Sequence, residues 1–145
     1  MQSRYKDICS ALIIDAKEDL KAAKILSDNH IYSKSIFHSQ QAVEKSLKAV
    51  LALNAILITD DHVVSDKFNI LFSKFNQIKE VAEEAKYLER QGSKTRYPLF
   101  HNPIKPIWIP SKEYKKQDAE TALKKAGFVI DKIIAFLKDK YNIKC

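Results

Sequence analysis

The chain has 145 residues, 46% of them hydrophobic, and a formal net charge of +7. A domain of this length buries roughly 70% of its unfolded surface, so its core needs neither a disulfide nor a metal ion. The longest nearly unbroken apolar run, residues 49–58, is interrupted by Asn54 and is too short to span a membrane, and the first ten residues lack the apolar core of a signal peptide. We therefore expect one soluble, cytoplasmic domain over residues 1–145, whose positive charge favours an anionic partner, nucleic acid above all.

Apolar residues recur at helical spacing from about Ser3 to Asp28, which predicts a first long helix. Asn29 belongs to a residue type that tolerates the left-handed conformation, so we expect it to end this helix. About four residues separate it from the next helical pattern. So short a connection predicts that the first two helices form an antiparallel pair.

The second predicted helix, Ser33–Asn54, carries two adjoining stripes at helical spacing. One stripe is apolar and is interrupted by Gln40, and the other consists of serine and alanine residues. Because residues three and four apart share a helix face, both stripes meet neighbouring elements, and this helix is expected at the centre of the bundle. Ser33 is expected to cap its amino end and Asn54 its carboxyl end. Lys45 on the polar outer face is a candidate for contact with an anionic substrate.

Residues 56–64 are predicted to form a connector, because turn and cap residues such as Thr59 fill it. Helical spacing then resumes near Asp66 and continues as far as Gly92. The pattern fits one long helix or two shorter ones. We favour two helices with a break near Asn76, because asparagine caps helices and the crowding of aromatic residues ends there.

All four prolines lie within residues 93–110, so no helix can pass through this segment. The segment is nevertheless rich in apolar and aromatic residues, and it must be anchored either on the bundle or on a second subunit. A last helix is predicted from about Ser111 to Tyr141. Gly127 in its interior costs about 1 kcal/mol relative to alanine, which close packing against the small stripe of the second helix would explain. The elements together predict an all-α, antiparallel up-and-down bundle of four to five helices.

Arg96 and His101 lie in the irregular segment, and such a pair can cleave RNA without a metal ion. The histidine takes the proton of a ribose 2′-hydroxyl, and the arginine binds the phosphate through two parallel hydrogen bonds. The leaving oxygen also needs a proton, and a symmetric dimer would supply the second histidine. Tyr97 and Trp108 are suited to stacking on unpaired bases. The alternative is structural: Arg96 caps a helix end or pairs with an acid such as Glu89, and His101 only completes the loop.

The remaining histidines are assigned structural roles. His38 lies on the polar face of the second helix, where a contact with solvent or another helix is expected. His62 follows two aspartates, which fits either a cap or part of a metal site; we favour the cap, because no partner at metal-ligand spacing accompanies it. His30 lies in the connection between the first two helices. The two cysteines also lack metal-ligand spacing, so neither a metal site nor a cofactor is expected.

Four pieces of the chain, in this order, resemble the HEPN family of small all-helical proteins. They are DLKAAKIL (Asp19–Leu26), FHSQQAVEKSLKAVL (Phe37–Leu51), the pair Asp61-His62 and TRYP (Thr95–Pro98). The resemblance implies a helical bundle, usually a homodimer. It also implies, as in many members, a metal-independent endoribonuclease whose motif is arginine, four to six residues, then histidine. Arg96 and His101 fit that motif with four intervening residues.

The resemblance also implies partners. Many prokaryotic members act as toxins beside a minimal nucleotidyltransferase antitoxin that modifies a tyrosine two residues after the histidine, where this chain has Pro103. Tyr97 follows the arginine, where active members often have Asn, Asp or His. Three hypotheses follow: a dimeric endoribonuclease acting on RNA, a non-catalytic module that binds a nucleotide or a nucleotidyltransferase partner, and a structural dimer formed through residues 97–109.

Overall fold

The computed structural model of the chain describes residues 2–58 and 60–145, so Thr59 of the predicted connector lies outside the described residues. The described residues form six α-helices and one 3₁₀ turn. In order they are α1 (Gln2–Asp28), α2 (Tyr32–Ala52), α3 (Ser65–Phe72), α4 (Val81–Glu89), the 3₁₀ turn (Gly92–Thr95), α5 (Pro110–Glu113) and α6 (Lys116–Tyr141). The predicted all-α bundle is confirmed. None of these helices is long and apolar enough to cross a lipid bilayer.

Helices α1 and α2 pack against each other in antiparallel orientation. Ser35 Oγ donates a hydrogen bond to Ala23 O (2.7 Å), and His38 Nδ1 lies 2.9 Å from Asp19 Oδ1. Later residues of α2 therefore lie beside earlier residues of α1. This is the antiparallel pair that the short connection predicted. The connection itself consists of residues 29–31.

Helix α2 occupies the centre of the bundle and contacts every other helix. Its small stripe is completely buried, and it consists of Ser35, Ser39, Ala42, Ser46 and Ala49. At Ala42 three helices meet, because this side chain packs with Ala16 of α1 and Ile130 of α6. Small side chains allow such close approach, so the expected central position of α2 is confirmed.

The first two helices end near the predicted positions, but the capping residues differ. The left-handed residues are His30 (φ 62°) and Ala55 (φ 58°), each one position after the predicted asparagine. Both ends form the paired backbone hydrogen bonds of a Schellman motif. The asparagines precede the left-handed residues, and their side-chain amides reach carbonyl groups of the last turn. The prediction that Ser33 caps α2 is wrong, because the helix begins at Tyr32 and Ile31 precedes it without a side-chain cap.

The predicted break near Asn76 is confirmed, because α3 ends at Phe72 and α4 begins at Val81. Turns fill the interval between the two helices. Phe72 and Phe75 both pack on Phe136 of α6, with ring centroids 6.1 and 5.3 Å away. These aromatic contacts hold the interrupted segment against the last helix.

The last helix differs from its prediction in two respects. Ser111 belongs to the separate one-turn helix α5, and the backbone at Tyr114 is extended (ψ 139°) before α6 begins at Lys116. The expectation that Gly127 packs closely against α2 is wrong. A Cβ atom built at this glycine would meet no atom within 4 Å apart from the backbone of its own helix turn. Gly127 therefore has room for a methyl group.

Candidate functional site

Gln40, which interrupts the apolar stripe of α2, fixes the segment that carries Arg96. Its Nε2 donates to Leu88 O (2.8 Å), and its Oε1 accepts a hydrogen bond from Thr95 Oγ1 (2.9 Å). Thr95 and Leu88 are both buried, so leaving a polar partner unpaired there would cost about 1–3 kcal/mol. The 3₁₀ turn therefore has a defined position on α2, and Arg96 follows it directly.

Arg96 is oriented by two aromatic rings. The central carbon of its guanidinium lies 5.6 Å from the ring centroid of Phe37 and 5.8 Å from that of Tyr97. Among residues 2–58 and 60–145, no carboxylate lies within ion-pair distance of this guanidinium. Cation–π contacts orient an arginine without using its N–H donors. In the described part of the chain these donors remain available for an anionic ligand.

Arg96 lines a small cavity between α2, α4 and the connector that follows α2. The cavity has a volume of about 70 Å³. Its polar lining consists of Gln40, Gln41, Glu44, His62, Glu89 and Arg96. Sites that enclose a whole small molecule measure roughly 300–1,000 Å³, so this cavity suits a single group such as a phosphate.

His62 lines the same cavity and pairs with a carboxylate of α2. Its Nδ1 lies 2.7 Å from Glu44 Oε1, and Lys48 Nζ lies 3.4 Å from the other oxygen of Glu44. An ionised carboxylate only accepts hydrogen bonds, so Nδ1 carries the hydrogen and Nε2 of the neutral ring has a free lone pair. The expectation that His62 is a helix cap missed this pair, because its two residues lie 18 positions apart in the sequence.

Glu89 fixes the connector from the side of α4. Its Oε1 accepts hydrogen bonds from the amides of Val64 and Ser65, both at 2.9 Å, and its Oε2 accepts one from the Ser65 hydroxyl. These bonds satisfy amides at the start of α3 and hold the backbone two residues beyond His62. The carboxylate of Glu89 is thus committed to α3 rather than to Arg96.

His101 lies on the outer side of the proline-rich loop. Its ring stacks on Phe100 with a centroid distance of 5.2 Å, and both side chains are exposed. It is not among the residues that line the Arg96 cavity. Within one chain, Arg96 therefore lines a cavity while His101 faces solvent.

The two aromatic residues assigned to substrate binding have different surroundings. Tyr97 is 61% exposed. Trp108 is half-buried, donates from Nε1 to Lys94 O (2.9 Å) and packs edge-on against Tyr114. Its backbone also exchanges two 3.0 Å hydrogen bonds with Leu99. Trp108 therefore anchors the loop on the bundle, and Tyr97 presents its ring to solvent.

Lys45 lies in an ion-pair network between α1 and α2, apart from the Arg96 cavity. Its Nζ contacts Asp15 at 2.6 Å and Asp19 at 2.5 Å, and Asp19 also binds His38. Burial lowers the pKa of Lys45, but hydrogen bonds to the two carboxylates outweigh this effect and leave the pKa above its ordinary value of 10.5. The side chain assigned to substrate binding is thus engaged in holding two helices together.

The two cysteines do not line this cavity, and they differ in exposure. Cys9 is buried in the core, and burial, with a contribution from Cys145, raises the pKa of its thiol to about 12. Cys145 is exposed, and both thiols are free. Within residues 2–58 and 60–145, no three His, Cys, Asp or Glu side chains lie close enough together to hold a metal ion.

Known proteins resemble this chain in sequence. A sequence model of the HEPN domain matches residues 9–138. Over 136 residues the chain is 40% identical to the Methanocaldococcus jannaschii protein named "Putative toxin MJ1304", a match that covers 89% of this chain and 88% of that one.

Solved structures share the fold. The crystal structure of TT1696 from Thermus thermophilus matches with a TM-score of 0.70 at 25% identity, over 86% of this chain and 94% of that one. The structure of ST0689, an archaeal HEPN homologue, matches with a TM-score of 0.67 at 22% identity, over 90% of this chain and 98% of that one. With the domain match over residues 9–138 and the relative at 40% identity, these findings show that the chain belongs to the HEPN domain family.

Proposed function

We propose that the chain is a dimeric, metal-independent endoribonuclease of the toxin type, in which Arg96 binds the scissile phosphate and His101 transfers protons. The observation that carries this proposal is the Arg96 guanidinium, which two aromatic rings orient at a phosphate-sized cavity. An arginine held in this way can form two parallel hydrogen bonds to a phosphate and stabilise its growing charge. The relative with "toxin" in its name supports the toxin assignment.

The proposed reaction needs two proton transfers. One group removes the proton of the ribose 2′-hydroxyl, whose oxygen then attacks the adjacent phosphorus, and another group protonates the 5′ oxygen as it leaves. The products are a 2′,3′-cyclic phosphate and a 5′-hydroxyl. In the proposed dimer His101, which is exposed on its loop, acts at the Arg96 cavity of the second copy, and the net charge of +7 favours association with RNA.

The outer side of the proline-rich loop supports self-association. Its large apolar side chains are exposed, and they are Tyr97 (61%), Phe100 (65%), Ile104 (91%) and Ile107 (60%). Apolar residues gathered on one exposed segment are typical of interaction sites, and a two-fold axis through the loop would pair two copies. Light scattering should give a dimer, and Ile104→Lys should give a monomer. Ile70→Lys is the matched control, because Ile70 is 80% exposed on α3.

Cleavage of single-stranded RNA in EDTA tests the proposal. The purified protein should leave 2′,3′-cyclic phosphate ends, and His101→Ala should slow cleavage by roughly 10²–10⁴-fold. His30→Asn is the control, because His30 is exposed and does not line the Arg96 cavity. Asparagine also tolerates the left-handed backbone of this position. No cleavage by the wild-type protein would contradict the proposal. If the Ile104→Lys variant is a monomer and cleaves RNA at the wild-type rate, His101 does not act across a dimer and the proposed dimeric mechanism is wrong.

A second groove favours the alternative function, a non-catalytic module that binds a nucleotide or a nucleotidyltransferase partner. It lies between α1 and α6 and has a volume of about 700 Å³, within the roughly 300–1,000 Å³ of small-molecule sites. Its basic lining consists of Lys17, Lys21, Lys24, Lys116 and Lys124. Calorimetry with ATP tests this alternative, which predicts binding that Lys21→Glu weakens. RNA cleavage by a protein that binds neither ATP nor such a partner would exclude it.

A further inference from the structure

The proposed reaction needs a second proton-transferring group, and the Arg96 cavity contains one in the same chain. We propose that this cavity binds the scissile phosphate and that His62, oriented by Glu44, accepts the proton of the attacking hydroxyl. The inference rests on the proposed function. In this arrangement each chain provides both the phosphate site and the proton acceptor. His101 then protonates the leaving oxygen.

The pairing with Glu44 prepares the His62 ring for this role. Nδ1 lies 2.7 Å from Glu44 Oε1, and the Glu44 side chain is only 11% exposed. The hydrogen on Nδ1 points to the carboxylate, so the lone pair of Nε2 is left to accept a proton. The carboxylate then stabilises the imidazolium that forms, as an acidic partner does for a catalytic histidine.

Hydrogen bonds hold the backbone that follows His62. Asp61 Oδ1 accepts a hydrogen bond from the amide of Val63 (2.8 Å), and Glu89 accepts bonds from the next two amides. The ring itself is held from α2 through Glu44. A group held by several elements needs little further ordering to reach its working geometry.

Arg96 is the group in the cavity lining that attracts an anion. Glu44 and Glu89 also line the cavity, but both are engaged, Glu44 by His62 and Lys48 and Glu89 by three donors at the start of α3. In the described part of the chain the Arg96 guanidinium has no such partner. The volume of about 70 Å³ admits a phosphate group but not a base, which must remain outside.

The proposed step balances without any further reactant. His62 Nε2 takes the proton of the 2′-hydroxyl, a bond forms between the 2′ oxygen and phosphorus, and the bond from phosphorus to the 5′ oxygen breaks. The 5′ oxygen takes a proton from protonated His101. His62 ends protonated and His101 neutral, and proton exchange with water restores both.

Single-turnover cleavage of RNA in EDTA by the full chain tests the proton transfer. His62→Gln should lower the rate by roughly 10²–10⁴-fold, while His30→Asn should leave it within about threefold of the wild-type rate. Glu44→Gln should lower the rate by a smaller factor. Because Glu44 is a positioning residue, ¹⁵N NMR should also show that Glu44→Gln redistributes the tautomers of the His62 ring while the protein stays folded.

A titration with inorganic phosphate tests the binding site without cleavage. Phosphate should shift the His62 ring nitrogens, and Arg96→Ala should abolish the shift. If the wild-type protein cleaves RNA and His62→Gln cleaves it equally well, the inference is wrong and the proposed function stands. If the wild-type protein does not cleave RNA, the proposed function and the proton transfer fail together. If phosphate leaves His62 of the wild-type protein unshifted, the binding site is also refuted.

Discussion

Replacing Glu89 with alanine is expected to destabilise the protein substantially. The substitution removes the acceptor of both amides at the start of α3 and of the Ser65 hydroxyl. Ser65 is completely buried, so its hydroxyl cannot turn to solvent for a new partner. The connector that carries His62 would also lose its attachment to α4.

The magnitude follows from these contacts. Loss of a helix cap costs about 0.5–2 kcal/mol, and a buried hydroxyl left without a partner costs about 1–3 kcal/mol. Because the bonds share one carboxylate, the two losses do not simply add. We expect Glu89→Ala to lower the free energy of unfolding by about 3 kcal/mol. For a chain of this size that corresponds to a fall in Tm of roughly 6–12 °C.

Urea unfolding followed by circular dichroism measures the effect, as a lower midpoint with an unchanged slope. Glu89→Gln keeps one acceptor oxygen and should lose only about 1 kcal/mol. Glu83→Ala on the exposed side of α4 is the control and should change stability by at most about 0.5 kcal/mol. If Glu89→Ala is as stable as this control, the carboxylate does not hold the start of α3.

The remaining predictions concern the two glycines, the two cysteines and Lys45. Gly127→Ala should raise the free energy of unfolding by up to about 1 kcal/mol, because the helix interior has room for the methyl group, whereas Gly92→Ala should lower it by about 1 kcal/mol because its φ is +52°. Urea unfolding measures both changes in the free energy of unfolding. If the two substitutions change it in the same direction, the reasoning is contradicted. Cys145 should react with a thiol reagent faster than Cys9, because Cys145 is exposed, whereas Cys9 is buried and burial, with Cys145, raises its pKa to about 12; burial also raises the pKa of Cys145, so the difference in rate comes mainly from access, and equal rates for the two thiols would contradict this. Lys45→Met should lower the free energy of unfolding and leave the rate of RNA cleavage unchanged. Slower cleavage with unchanged stability would instead indicate that Lys45 contacts the substrate. Because the pKa of Lys45 lies above its ordinary value of 10.5, its stabilising effect is present at neutral pH and is lost only as the pH rises through the folded-state pKa.

Helical periodicity was sufficient to locate the long helices, because each buries a continuous stripe. The predicted Ser33–Asn54 and the observed α2 (Tyr32–Ala52) differ by at most two residues at either end. Capping was less predictable. Asparagine was expected in the left-handed position, yet His30 and Ala55 adopt it, since the asparagines already bond carbonyl groups from the position before.

The cavity could not be predicted from periodicity, because its contacts join distant parts of the chain. Gln40 bonds the carbonyl group of Leu88, 48 positions away, and Glu44 bonds His62 from a different element. One signal was nevertheless present. A glutamine that interrupts an apolar stripe must satisfy its amide on a neighbouring element, and here it does so on the segment before Arg96.

The proline-rich loop illustrates the same limit. Its irregular backbone and its apolar content were both evident from the prolines and the aromatic residues. The sequence offered no means of deciding which rings face the bundle. The backbone pairing of Leu99 with Trp108 determines which rings face the bundle. This pairing turns Trp108 towards Tyr114 and leaves Phe100 and Ile104 exposed.

The role of Arg96 is tested most directly by the single-turnover rate of RNA cleavage in EDTA for Arg96→Ala, Arg96→Lys and Arg90→Ala. Arg90 is exposed and does not line the cavity, so its variant controls for the loss of one positive charge. We expect Arg96→Ala to lower the rate by roughly 10²–10³-fold and Arg90→Ala to match the wild-type rate. Arg96→Lys should restore only part of the rate that Arg96→Ala loses, because lysine cannot form the paired hydrogen bonds. Equal rates for Arg96→Ala and Arg90→Ala would contradict the assignment of Arg96 to the scissile phosphate.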